Sequence, residues 1–193
     1  MEVNADTAAF LVERQRIIFT STMKAHHLLG LFLLFGMAAP THVLAQKCKY
    51  SYDEKDPMSG NTIRRTTVKL QGSFILHFYR NGDDHRVELN VRMAGERNFM
   101  VAEGNELQIK LADGRILSVP AAQAASPVSY VNAGQVMTNY AISHRCSKED
   151  LGAIAASGVT VLRVQLGDET ITYEVKAKDT EESKEKAACL LVE

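Results

Sequence analysis

Residues 74–93 read FILHFYRNGDDHRVELNVRM, and this stretch decides the fold class. In its second half Val87, Leu89, Val91 and Met93 are apolar, while Arg86, Glu88, Asn90 and Arg92 between them are polar. A period of two puts each set on one face of a strand. One face then meets a core and the other meets water, which is the antiparallel pattern. Asn81-Gly82 divides this strand from Phe74–Arg80. An Asn-Gly pair supplies the positive φ of a primed turn, whose twist matches that of the strands it joins.

The same signature spreads outward from that hairpin. Leu107, Ile109 and Leu111 alternate with Glu106, Gln108 and Lys110, and Asp113-Gly114 separates Leu107–Ala112 from Arg115–Val119. Gly167-Asp168 separates Val159–Leu166 from Glu169–Lys176, where Ile171, Tyr173 and Val175 alternate with polar residues. Further strands are expected at Lys49–Asp53, Thr62–Leu70, Asn98–Ala102 and Val136–Ser143. About nine or ten short strands predict a mainly β fold, an antiparallel β-sandwich or partly open barrel. Two helices interrupt it. Ser147 followed by Asp150 forms a capping-box pattern, Leu151, Ile154 and Ala155 line one face, and Gly158 stops the helix. A C-terminal helix begins near Asp179, with Glu181 and Glu182 at its positive end, Lys186 spaced to pair with Glu182, and Ala187, Leu190 and Leu191 free to dock on a sheet. Pro120–Gln135 is the least patterned stretch and reads as a long loop.

Ahead of the β pattern lies a targeting signal. Leu28–Ala39, LLGLFLLFGMAA, is an almost unbroken apolar run, shorter than the roughly 20 residues that a membrane-spanning helix needs. Lys24, His26 and His27 precede it, Pro40 breaks it, and Val43 and Ala45 place small residues at −3 and −1 of a cleavage site. Residues 23–45 are therefore expected to be a signal peptide, with Gln46 the mature N-terminus and 46–193 a single exported domain. An uncut signal anchor is the alternative. Residues 1–22 read as an over-extended gene start ahead of Met23, or as a long n-region. Cys48 is not the first mature residue, which argues against a lipid anchor. The expected location is periplasmic or secreted, with no stable membrane span after cleavage.

Charge is balanced, with 22 Lys+Arg against 23 Asp+Glu. No basic field exists to hold a phosphate backbone, so nucleic acid is not an expected partner. The order of signal peptide ending at Ala45-Gln46, hairpin-rich short strands and a Ser147–Leu151 helix leading into Val159–Leu166 resembles a group of small exported β-rich proteins of Gram-negative bacteria. That resemblance implies the periplasm or cell surface and implies no activity.

Three cysteines lie in the exported part, where disulfides are permitted. Cys48 and Cys146 both sit at strand ends and are the preferred pair. Cys189, among Ala187, Ala188, Leu190 and Leu191, reads as a buried small apolar side chain. Three reduced thiols are the alternative.

Candidate chemistry is sparse. His144 and Cys146, at i and i+2, share a strand face, but no third group orients the imidazole. His77 and His85 flank the Asn81-Gly82 turn beside Asp83 and Asp84, and could face each other across the hairpin, yet metal-ligand spacing is missing. Asp53, Glu54 and Asp56 make an acidic turn without the spacing of a calcium loop. A G-x-S-x-G elbow is absent from the sequence, and so is a glycine-rich phosphate loop. No catalytic residue, metal ligand or cofactor is assigned. Among the aromatic residues, Tyr79 before a turn and Tyr130 in the long loop are the expected exposed binding residues. The sequence is read as a non-enzymatic binding or structural domain whose partner is another envelope or extracellular protein. The alternative is a small hydrolase with an unrecognised site.

Overall fold

Side chains that alternate in polarity along the sequence alternate in burial along the strands. The structure, a computed structural model, describes residues 48–192. The signal segment 23–45, residues 1–22 and the cleavage site before Gln46 lie outside the described residues. In chain order the elements are β1 (Tyr52–Lys55), β2 (Thr62–Lys69), β3 (Phe74–Asn81), β4 (Asp84–Ala94), β5 (Glu106–Leu111), β6 (Ile116–Pro120), β7 (Val128–Asn132), β8 (Gln135–Cys146), α1 (Lys148–Ser157), β9 (Val159–Leu166), β10 (Glu169–Glu174) and α2 (Ala177–Leu191).

The expected mainly β architecture is what forms. Six antiparallel strands, in the order β1-β2-β3-β4-β8-β7, curl into a half-barrel. A second sheet, β10-β9-β5-β6, shares one core with it. Val87, Leu89 and Val91 of β4 are fully buried, whereas Glu88 and Asn90 between them are half-exposed. One continuous core joins Val68, Leu76, Phe78 and Ile142 of the large sheet to Leu107, Ile109, Leu162 and Leu166 of the small one. The three anticipated turns all form, and Gly82, Gly114 and Gly167 each take a positive φ.

Three strand expectations need correction. The first strand is Tyr52–Lys55, later than Lys49–Asp53, because pairing with β2 begins only where the Ser51 N–H donates to the Arg65 carbonyl. Asn98–Ala102 is not a strand: Val101 makes a single bridge to Ala125, and Phe99 instead stacks on Tyr140 at 5.0 Å between centroids. Within the supposed loop, Val128–Asn132 is a strand, β7, paired with β8 through a tight turn at Ala133-Gly134.

The helices lock the small sheet to the large one. Ser147 and Asp150 cap α1 reciprocally: the Asp150 N–H donates to Ser147 Oγ (3.0 Å), and the Ser147 N–H donates to Asp150 Oδ2 (3.2 Å). Gly158 ends α1 at φ 79°. There the chain passes so close to α2 that a Cβ on Gly158 would lie 2.7 Å from the Thr180 carbonyl oxygen. α2 grips the same junction from its other polar atoms. Ser183 Oγ accepts from the Val159 N–H (2.9 Å), and Thr180 Oγ1 donates to the Val159 carbonyl (2.8 Å). The acid–base contact on α2 is Glu181 with Lys184 at 3.3 Å rather than Glu182 with Lys186.

The last turn of α2 has no basic residue of its own, so its open carbonyls would be left unpaired. The large sheet and the segment leading into it supply the donors. Arg80 donates to the carbonyls of Leu190 (3.0 Å) and Val192 (3.2 Å), Arg64 to that of Val192 (3.2 Å), and Tyr50 Oη to that of Cys189 (3.0 Å). This docking brings Cys189 against the start of the domain, where it bonds to Cys48 with the α-carbons 5.5 Å apart. The Cys48–Cys146 pairing is therefore wrong. Cys48 precedes β1 at one edge of the large sheet, while Cys146 ends β8, four strands further across. At about 4.8 Å per strand that separation far exceeds the ~7 Å that a disulfide allows between α-carbons. Cys189 is buried, as its apolar neighbours suggested, but bonded.

Candidate functional site

Two places invite chemistry: the inner end of the β4–β8 ladder and the outer face of the large sheet. At the inner end, His85 stands directly opposite Cys146, and Val87 opposite His144. All four side chains face the core. His144 is fully buried; its ring Nδ1 lies 3.3 Å from the Val87 carbonyl, and its Nε2 has no partner among the described residues. Burial disfavours the charged form, so the imidazole is pushed down to about 4. The same burial, aided by the charge of Asp150, pushes the Cys146 thiol up to about 12. A thiol–imidazole pair works as thiolate and imidazolium. Here both groups are held neutral, so the shared strand face does not make a nucleophile.

His77 and His85 do not meet. The turn sets Asn81 opposite Asp84, so His85 pairs with Arg80 and His77 with Glu88. The odd offset sends His85 inward and His77 outward. His77 Nδ1 is 2.8 Å from Thr67 Oγ1, and its pKa is lowered by burial, with Arg65 adding to the effect and Glu88 opposing it. Asp56 is engaged as a turn cap, accepting from the Met58 N–H (3.0 Å) and from the Ser59 N–H and hydroxyl. Those donors lower its pKa. Among the described residues no group of three His, Cys, Asp or Glu is placed to hold a metal ion.

The outer face carries a different pattern. Tyr52 pairs with Arg65, Arg65 with Tyr79, Tyr79 with Arg86 and Arg86 with Arg145. One row thus crosses β1, β2, β3, β4 and β8 and is made only of tyrosine and arginine. At about 4.8 Å per strand it is about 19 Å long. Directly opposite side chains on one face are the closest neighbours in a sheet, so the row is a continuous strip. The Arg86 guanidinium lies 6.0 Å from the centre of the Tyr79 ring. Arg86 pairs with Asp84 at 2.7 Å and Arg145 with Glu103 at 3.3 Å, both exposed contacts. Such pairs are worth little in water and exchange readily. Arg65 has no ion-pair partner among the described residues, and its Nε is buried with no hydrogen bond. The Tyr52 hydroxyl donates to Glu54 at 2.7 Å, which raises its pKa.

Tyr79 therefore lies in the middle of a surface row. Tyr130 lies on the same outer face but on β7, level with Ala94 of β4 through Met137. Eight residues along β4 separate that level from Arg86, about 27 Å, so the two tyrosines are not brought together. Tyr130 instead lines a shallow depression of 290 Å³ with Val128, Ile75, Arg92, Asn90 and Asn139. Another depression, of 520 Å³, lies beside the disulfide between Lys49 and the charged face of α2. The arginines of the row escaped the sequence reading because each belongs to a different strand. Only the register aligns them.

No protein family, no curated protein and no solved structure matches this chain. No helix among the described residues is long and apolar enough to cross a membrane.

Proposed function

We propose that this is an exported, non-enzymatic binding domain of the periplasm or cell envelope, and that the Tyr52–Arg65–Tyr79–Arg86–Arg145 row is its contact face for an acidic segment of another envelope or extracellular protein. The observation that carries the reading is the composition of the row. Tyrosine and arginine are the residues that dominate protein–protein hot spots, because each combines a large contact area with directed polar groups. Arg65, which has no acidic partner among the described residues, is the natural anchor. The sequence signal at 23–45 supports export, and the Cys48–Cys189 bond accords with an oxidising compartment. The neutral, enclosed state of His144 and Cys146 weighs against the nucleophile–base pair that the sequence offered.

The test is titration of the exported protein with a poly-glutamate peptide at low and high salt. Binding should weaken as salt rises, fall at least tenfold in the Arg65→Ala/Arg86→Ala double variant, and persist in Lys110→Ala, which lies on the small sheet. Equal binding by the double variant and the wild type would remove the row from the function. N-terminal sequencing of the exported protein should begin at Gln46.

A further inference from the structure

Among the described residues four strands end a sheet: β1 and β7 on the large one, β6 and β10 on the small one. The outward N–H and C=O groups of an edge strand are a template for another strand, and proteins usually blunt them with charge, proline or cover. Three of the four are blunted. β1 carries Asp53, Glu54 and Lys55, and β10 carries Glu169 and Glu174. β6 ends in Pro120, and the chain after it turns onto the large sheet, where Ala121 bridges His144 and the Ala122 N–H donates to the Ser143 carbonyl. β7 reads VSYVN, with no charge and no proline, and all five residues are exposed. Val128 is 63% exposed and Val131 71%. Val136, opposite Val131 across the hairpin, is also exposed.

We propose that β7 is the contact strand of a two-fold dimer: Val128–Asn132 of one copy pairs antiparallel with Val128–Asn132 of a second, centred on Tyr130, so that the two large sheets run on as one. Three features select a second copy as the occupant. The partner must itself offer a free strand edge, and this chain has one of matching length. Without a charged side chain, β7 meets no repulsion from itself. The register is also self-consistent. In a continuous sheet, outer-face residues must stand opposite outer-face residues, which restricts the pairing to even sums of residue number. Centring on Tyr130 satisfies that rule and uses all five residues. Tyr130 then faces Tyr130 of the other copy, Val128 faces Asn132, and Ser129 faces Val131. A five-residue strand is about 17 Å long and a sheet about 10 Å thick, so the contact is well below the ~800 Å² per partner of a standard interface. The dimer is accordingly a weak one.

Sedimentation equilibrium of the exported protein from about 10 μM to about 1 mM spans the range of weak complexes. The apparent mass should climb toward twice that of the monomer. Tyr130→Lys sets two like charges directly opposite each other and should weaken the dimer at least tenfold without lowering the melting temperature. Tyr130→Cys should give a covalent dimer under non-reducing conditions, since position 130 meets itself on the axis, whereas Val128→Cys should not. Arg65→Ala/Arg86→Ala should dimerise like the wild type, which separates this result from that for the arginine–tyrosine row. A wild type that stays monomeric at about 1 mM, a Tyr130→Lys variant that dimerises normally, or cross-linking at position 128 as efficient as at 130 would each overturn the proposal. So would a monomer whose position 130 cross-links only to a different protein.

Discussion

Acid should loosen this domain well before its carboxylates protonate, and His144 is the reason. The imidazole titrates at about 4 in the folded protein against 6.5 in the exposed chain. Above pH 6.5 neither state binds the proton, and His144 has no effect on the pH dependence. As pH falls from 6.5 towards 4, the unfolded chain takes up a proton that the folded protein refuses, and stability is lost. Below about 4 both states are protonated and the loss levels off. A difference of 2.5 units corresponds to about 3 kcal/mol in all, and about 2 kcal/mol of it should be gone by pH 5. With a denaturant slope typical for this size, that is a drop of about 1 M in the urea midpoint. The comparison is wild type against His144→Met at pH 7.5, 6, 5.5 and 5. Methionine fills the site without a titrating group. His77, also lowered, is present in both proteins and cancels. Asp56 and Asp113, both lowered, titrate below this window. The variant's midpoint should fall less steeply than that of the wild type, and the gap between them should widen to about 1 M by pH 5. Parallel lines for the two proteins would refute the buried, neutral imidazole.

Four further outcomes follow from the packing. Gly158→Ala should cost at least ~3 kcal/mol in urea unfolding, because a side chain is strained at φ 79° and meets the Thr180 carbonyl; a cost below ~1 kcal/mol would mean that α2 does not press on this turn. Cys48→Ser/Cys189→Ser opens a loop with a sequence separation of 141 and should lower stability by up to ~5 kcal/mol in the chain-entropy picture. In the unreduced wild type only Cys146 should accept a thiol reagent, and only after unfolding; mapping that finds Cys146 in a bond contradicts the fold. Ala133→Asn should raise the melting temperature, a gain of about 0.5–1 kcal/mol, since Ala133 holds φ 48° in a turn that prefers Asn-Gly; a lower melting temperature would count against that turn.

The elements that the sequence revealed are those with one wet face and one dry face. β4 and β5 announce themselves by alternation because half of each is buried. The capping box of α1 is local chemistry and needs no tertiary contact to be read. β7 stayed hidden because neither of its faces is buried, so burial imposed no period on VSYVN. Asn98–Ala102 misled for the opposite reason: Val101 and Phe99 do pack inward, but without a ladder alongside them. The candidate site was only partly legible. Tyr79 was expected as an exposed ring before a turn and is half-buried on the outer face, while Arg65, Arg86 and Arg145 became its neighbours only once strand order and register were known. The disulfide likewise depended on where α2 docks, a question of packing that lies beyond the reach of cysteine spacing.

The placement of the three cysteines also bears on the order in which the chain becomes available. A polypeptide that emerges N-terminus first presents Cys48, then Cys146, and Cys189 last. An oxidant meeting the arriving chain would find the wrong couple first, and joining it would tether two opposite regions of a sheet not yet assembled. In the finished fold that couple is out of reach, because Cys146 faces the core on the β4–β8 ladder and its thiol is held un-ionised. The folded sheet thus works as a lock on thiol exchange, shutting the middle cysteine away from the bond that joins the first to the last.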